Sequence, residues 1–413
     1  VYIYGQYVKN FLSKKNILEI FTLLLIASSS QVASDLYTPS LPSIAAYFRT
    51  DIGAAEMTIA IYMAALTLTQ LIWGPLSDHF GRKRILGIGL ITAIIGSLIC
   101  ATVFDLYFFF LGRLLQGIGN GAAAGLWRAI FRDRYTGERL ARVSSYFGNL
   151  LVLILISAPL LGGVLQETLG WRANFTFLVI WGGVSLLVLL LFIRESKQKT
   201  HQRPCWRRNY GRLLKSPVFM GCCLCNFLTY AGKFAWITVG SPLIVGQMGM
   251  TPLQFGTWSA TAGLFMIIGA ALNGYYVLKL GITRMLSIGW SMAITSGSAL
   301  LIAPQFLPAT PFLVFTCLAV FLCGLSFVFA NTFATALAPF GDIAGSASGL
   351  YTFIQMAGGA SSSFLLSLLG EAGTNTLGFF FLTAGGGSWL IFAFVVHKSL
   401  RRRRVTNVIA PPA

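Results

Sequence analysis

The sequence predicts an all-α membrane protein of twelve transmembrane helices, arranged as two pseudo-symmetric six-helix bundles. Three observations lead there. Hydrophobic residues make up 56% of the 413 and charged residues only 10%, with a mean hydropathy of +0.74, whereas a soluble domain carries about a quarter charged residues. The apolar residues gather into twelve runs close to the length, about 17 to 25 residues, that crosses a hydrocarbon core as a helix with its backbone groups satisfied internally. Finally, GPLSDHFGRKR at 74 to 84 returns as GYYVLKLGITR at 274 to 284. This offset of 200 keeps Gly74, Gly81 and Arg84 as Gly274, Gly281 and Arg284, while Asp78 gives way to Leu278.

The first span, 17 to 40, follows Lys9, Lys14 and Lys15 and is long enough to stay in the membrane, so a cleavable signal is not expected. It carries Gln31 and Asp35, and Pro39 and Pro42 follow, which should bend its end and free carbonyls to line a pore. Of the twelve acids, Asp35 alone is expected well inside a span. An acid near the bilayer centre costs about 2.5 to 3.5 kcal/mol on insertion scales and usually faces a cavity or a partner. Dry surroundings favour its neutral form and a nearby cation its carboxylate, so a group whose surroundings alternate can load and release a proton.

The second span, 54 to 76, carries Tyr62 and runs into the repeated turn. There Gly74 and Gly81 are expected to permit tight backbone at the helix ends. Asp78 is expected to accept hydrogen bonds from nearby cations or a helix N-terminus and, next to the start of the eleventh span around Gly345, to latch an inner gate. After the third span, 84 to 104, the fourth, 106 to 128, places Arg113, Gln116 and Asn120 on one face and Gly117, Gly121 and Gly125 on a small-residue face for close packing. Arg113 should lie at a depth comparable with Asp35, so the two can pair. Its counterpart in the second half, near Val320, is apolar, which concentrates proton chemistry in the first half. The fifth span, 143 to 165, holds Asn149, Pro159, Gly162 and Gly163, and the sixth covers 172 to 193.

The basic stretch RESKQKTHQRPCWRRNYGRLLKSP separates six spans from six. It gives an N-terminal bundle at 1 to 193, a cytoplasmic linker at 194 to 216, and a C-terminal bundle with a basic tail at 217 to 413. The later spans are expected at 217 to 245, 253 to 278, 283 to 303, 310 to 337, 345 to 369 and 377 to 397. In the seventh, Asn226, Tyr230 and Lys233 recur at i, i+4 and i+7 as one polar stripe. A cavity holding both Arg113 and Lys233 against one acid would favour an anionic or zwitterionic compound. Asn331 and Gln355, with Tyr62, Gln70, Asn149, Trp236, Trp258 and Tyr351, are candidate liners of a mostly apolar small-molecule pocket.

With the N-terminus inside, 26 of the 30 Lys and Arg residues fall on the inner side, which is the positive-inside bias of a polytopic protein with both termini cytoplasmic. Basic runs split among short loops in this way do not describe a nucleic-acid surface, despite the net charge of +18. The seven cysteines lie mostly in or beside apolar runs and read as free thiols. No HExxH, GxSxG or Walker A pattern occurs, and His79, His201 and His397 lie in loops or at helix edges. Neither an enzyme nor a metal or cofactor is expected.

The turn Gly74 to Arg84 is similar to the loop signature of the major facilitator superfamily. Arg113-Leu-Leu-Gln116-Gly117 resembles that family's intramembrane arginine motif. Gly148 with Ala158-Pro159-Leu-Leu-Gly162-Gly163 resembles its antiporter motif, with Ala158 where many members have glycine. Within the superfamily, DLYTPSLP (35 to 42), RDRY (132 to 135), GWRANF (170 to 175) and NTFATALAPFGDIAGSASGL (331 to 350) look most like the Bcr/CflA drug-resistance group of proton antiporters. The resemblance implies a monomeric secondary transporter of the bacterial inner membrane, exporting a drug-like compound in exchange for protons by alternating access. The alternatives are export of an endogenous anionic metabolite such as a siderophore, or uptake by proton symport. Asp35 and Arg113 would couple protons. Gln31, Tyr62, Gln116, Asn120, Asn149, Asn226, Tyr230, Lys233, Asn331 and Gln355 would meet the substrate. Gly74, Asp78, Gly81, Arg82, Pro159, Gly162 and Gly163 would serve gating.

Overall fold

Among the described residues, long apolar runs punctuated by glycine and proline fold into fourteen α-helices. The computed structural model describes residues 14–134, 137–193, 195, 206–306, 308–370 and 373–397; Lys9, most of the basic linker and the tail from Lys398 lie outside them. In chain order the helices are α1 (Lys14–Asp35), α2 (Leu41–Phe48), α3 (Ile52–Phe80), α4 (Arg82–Thr102), α5 (Leu106–Arg134), α6 (Gly137–Leu169) and α7 (Trp171–Phe192). There follow α8 (Trp206–Leu214), α9 (Pro217–Ser241), α10 (Pro252–Leu280), α11 (Ile282–Ile302), α12 (Pro311–Leu337), α13 (Ala344–Leu369) and α14 (Thr374–Ile391). Among the described residues, eleven spans are long and apolar enough to cross a membrane. The remaining long helix, α5, is made less apolar by Arg113, Gln116 and Asn120.

Local chemistry sets the helix starts. Asp51 accepts from the Ala54 N–H at 2.7 Å ahead of α3, Thr251 and Gln254 form a reciprocal cap on α10, and Thr310 caps α12. Pro217, Pro252 and Pro311 occupy first helical positions, where a missing N–H is harmless. The expected bend after Asp35 is present: α1 ends there, Thr38–Ser40 form a short 3₁₀ turn, and Thr38 Oγ1 donates to the Asp35 carbonyl at 2.8 Å.

The internal repeat extends far beyond the quoted turn. Ile52–Phe80 and Arg82–Thr102 recur as Pro252–Leu280 and Ile282–Ile302, both offset by 200 residues. Gly81 and Gly281 share positive φ (102° and 79°), as do Gly170 and Gly370 (82° and 73°). A side chain at these positions would strain the backbone whatever the space around it.

The chain packs as two compact units, residues 1–49 with 61–200, and residues 50–60 with 201–413. The start of α3 packs with the second unit. In the first unit, Leu23, Leu86, Leu90, Phe147 and Leu189 share a core. Gly89 and Gly119 bring α4 and α5 into backbone contact, and a Cβ on Gly89 would lie 2.8 Å from the Gly119 carbonyl oxygen. In the second unit, Phe219, Cys222, Cys223, Cys225, Trp290 and Tyr351 form a core that also takes Leu213 of α8, so part of the linker is a packed helix. Ile88, Ile91 and Ile95 on α4 and Leu187, Leu190 and Leu191 on α7 are exposed, as on a helix face turned to lipid.

Candidate functional site

The first unit holds a fully buried cation in a cage of aromatic rings and amides. Arg113, 0% exposed on α5, lies with its guanidinium carbon 4.3 Å from the ring centroids of both Tyr37 and Tyr62. Its Nη1 donates to the Ala33 carbonyl at 3.1 Å and to Gln116 Oε1 at 2.6 Å, and Gln116 Nε2 donates on to Ser97 at 2.7 Å. Asn120 Nδ2 donates to the Tyr62 hydroxyl at 3.3 Å, which in turn donates to the Ser30 carbonyl. The helical spacing of Arg113, Gln116 and Asn120 thus turns all three toward one network joining α1, α3, α4 and α5. Desolvated cation–π contacts are worth about 2 kcal/mol each, so the two rings offset part of the cost of burying the charge.

Asp35 is 7% exposed at the end of α1 and accepts a hydrogen bond from the Ser34 hydroxyl. The carbonyl that binds Arg113 lies two residues before it, and the ring that stacks on Arg113 two residues after. Folding therefore brings the expected proton-coupling acid and cation to one end of α1. Gln31 lies one turn earlier and is half-buried. A cavity of about 20 Å³, room for one water, is lined by Ser29, Ser97, Asn120 and Trp181. The Asn120 carbonyl oxygen has no hydrogen-bond partner among the described residues. Gln116 is 0% exposed and holds its hydrogen bonds with Arg113 and Ser97. Asn149 lies on α6, and its side chain is outside the described residues.

A second acid is enclosed: Glu56 of α3 is 0% exposed, and among the described residues both its carboxylate oxygens lack a hydrogen-bond partner. The sequence reading started this helix at 54, which left Glu56 at a helix end. Asp51, as cap, starts the helix at Ile52 and carries Glu56 into its second turn. Its apolar neighbours in AAEMTIAIYM were the available signal.

The small-residue faces do close packing. Gly117 and Gly121 of α5 press on the Tyr62 carbonyl and on Thr69 of α3. Gly162 of α6 abuts the Leu36 carbonyl so closely that no Cβ fits, and Gly163 beside it is buried. Pro159 lies half-buried within α6.

The repeated turn is arranged differently from the expectation. Gly74 is inside α3, which continues to Phe80, and a Cβ there would meet open space, so it permits no tight turn. Gly81 alone makes the turn, with positive φ. Asp78 pairs with the buried Arg82 at 3.3 Å. The acid at the start of α4 is Glu195, which accepts from the Lys83 N–H at 3.0 Å and would lie 2.7 to 2.9 Å from a Cβ on Gly81. Sequence alone gave no reason to connect residues 112 positions apart.

In the second unit, Asn226 (1% exposed), Tyr230 (7%) and Lys233 share a face of α9. Lys233 is half-buried, with its ammonium 5.3 Å from the Tyr230 ring centroid and 5.6 Å from that of Phe234. The Asn226 amide nitrogen has no partner among the described residues. Asn331 donates to Asn273 at 2.6 Å and to the Phe327 carbonyl at 2.8 Å, tying α12 to α10, and Gln355 is buried on α13. Cys225 donates its thiol to the Ser388 carbonyl at 3.3 Å.

Residues 23–363 match the profile of the Major Facilitator Superfamily. The chain is 26% identical to a bicyclomycin resistance protein homolog of Haemophilus influenzae, over 94% of this chain and 99% of that one. It is 27% identical to the multidrug resistance protein MdtL of Klebsiella pneumoniae (86% and 89%) and 24% identical to multidrug resistance protein D of Escherichia coli (88% and 92%). Among solved structures, a peptide transporter POT matches with a TM-score of 0.74 at 15% identity, over 93% of this chain and 94% of that one. A bacterial homolog of the human lysosomal transporter Spinster matches with a TM-score of 0.70 at 14% identity, over 97% and 100%. At these identities the structural likeness speaks for the fold alone.

Proposed function

The chain belongs to the major facilitator superfamily, as a multi-pass membrane transporter of a small molecule, and from that premise we propose that it exports drug-like compounds in exchange for protons. The relatives named for bicyclomycin and multidrug resistance support the cargo class. The observation that carries the coupling is a buried acid, Asp35, set between the Ala33 carbonyl and the Tyr37 ring that both hold the caged Arg113. A carboxyl in such a place changes protonation when its access to water changes. Antiport then requires proton and cargo to compete for the same arrangement. At a membrane potential of about 100 mV, each charge moved carries about 2.3 kcal/mol, enough for roughly a fifty-fold cargo gradient per proton. The inner-membrane location, with both termini in the cytoplasm, and the monomeric state belong to the same proposal and rest on the charge distribution and the bacterial relatives.

Lys233 favours a second reading, export of an endogenous anionic compound. Glu56, buried near one end of α3, adds an acid to Asp35 against Arg113 and Lys233, however, which weakens the charge argument for an anion. One experiment separates the readings. In proteoliposomes, pH-gradient-driven movement of ethidium should stop in Asp35→Asn while ethidium exchange without a gradient survives. Undiminished gradient-driven transport in that variant removes Asp35 from the mechanism. Carboxyfluorescein serves as the anionic probe: a loss in Lys233→Ala confined to this dye supports the anionic reading.

A further inference from the structure

Glu56 is the buried carboxyl that the cycle above does not use. It is 0% exposed and neither oxygen has a hydrogen-bond partner among the described residues. Gly53, Glu56 and Met57 share one face of α3 by their spacing, and that face meets the end of α13 within the second unit. A Cβ on Gly53 would lie 2.5 Å from the Ser367 carbonyl oxygen and 3.2 Å from the Gly370 α-carbon, and the Ser367 hydroxyl is 3.5 Å from the Met57 sulfur. Asp51, the cap of the same helix, precedes Glu56 in the chain and is an acid as well. Ser367 and Gly370 bring no charge, and Glu371 lies outside the described residues. An ionised carboxylate with no hydrogen-bond donor among the described residues is strongly disfavoured in a dry site. Here Glu56 is therefore the neutral acid. A leucine or methionine would fill the same space without desolvating a carboxyl, so the acid is not explained by packing.

We propose that Glu56 is a second proton-loading carboxyl of the transport cycle. It holds its proton while the first turns of α3 are packed against residues 367–370 and gives it up when that contact admits water. The step is proton transfer alone: the O–H bond of Glu56 breaks, the proton passes to water and the carboxylate remains, and reloading is the reverse. This inference rests on the antiport reading and deepens it, since two acids loading separately let one cycle carry two protons.

Infrared spectroscopy of the full chain in lipid nanodiscs tests it without a cargo. Carbon-13 labelling of glutamate carboxyls should shift a neutral-carboxyl C=O band at neutral pH. Glu56→Gln should remove that band, and in the unsubstituted protein it should be lost as pH is raised. Absence of the band at neutral pH, or its persistence undiminished to the alkaline limit of the folded protein, overturns the proposal. Should Glu56→Gln fail to fold, the labelled unsubstituted chain retains the readout. Aspartate labelling follows Asp35 in parallel samples. A titrating Glu56 beside an inert Asp35 would refute coupling through Asp35 and leave this inference standing, and the converse would refute this inference alone.

Discussion

Arg113 shows how a membrane interior accommodates a permanent charge. Two stacked rings, one backbone carbonyl and one amide oxygen surround its planar guanidinium, and each of these partners uses the flat, forked shape as well as the charge. Lysine keeps the charge and loses the shape. Arg113→Lys is therefore expected to lower stability by about 1 to 3 kcal/mol, from weakened stacking and an unsatisfied Gln116, and to reduce proton-coupled transport. Thermal unfolding of the purified protein measures the first, and an unchanged melting temperature would show that charge alone matters at this position. Asp35 and Arg113 were legible in the sequence because an isolated charge in an apolar run stands out. Glu56 was not, because it lies near a helix end and its enclosure depends on packing beside residues some three hundred positions away.

At the scale of elements, glycines divide into those that touch another helix and those that do not. Gly162 meets the Leu36 carbonyl, at the point where α1 gives way to its 3₁₀ turn beside Asp35. Gly74 lies in mid-helix with nothing near it. Alanine at 162 must push α6 away from α1, an overpacking that costs about 1 to 3 kcal/mol. Alanine at 74 should be neutral or stabilising by up to about 1 kcal/mol from helix propensity. Paired thermal melts of Gly162→Ala and Gly74→Ala check this, and equal melting temperatures would contradict the close approach. The two positions look alike in the sequence, each near a proline in a motif of small residues. What separates them is a neighbour supplied by a helix more than a hundred residues away.

Across the whole molecule, duplication and charge placement set the plan. Two pairs of helices recur at an offset of 200 residues, with positive-φ glycines at matching positions. The candidate functional residues break the symmetry: Leu278 replaces Asp78, and the stretch near Val320 that answers to Arg113 is apolar. Basic residues concentrated on one side predict orientation. A fluorescent protein fused after Ala413 should therefore be bright and alkaline phosphatase fused there inactive. The reverse pattern would invert the topology and with it the proposed direction of transport.

The amino-acid sequence by itself determined the membrane environment, the order of the spans, the duplication and the candidacy of Asp35 and Arg113. Each of these depends on residue type and spacing along one chain, where a rise of about 1.5 Å per residue converts composition directly into helix length. Folding supplied the aromatic cage around Arg113, the Glu195 carboxyl at the start of α4, the contact of Gly162 with Leu36, the Asn331–Asn273 tie and the enclosure of Glu56. All of these join residues distant in the chain or depend on a neighbouring helix, and hydropathy has no term for which helix face meets which neighbour.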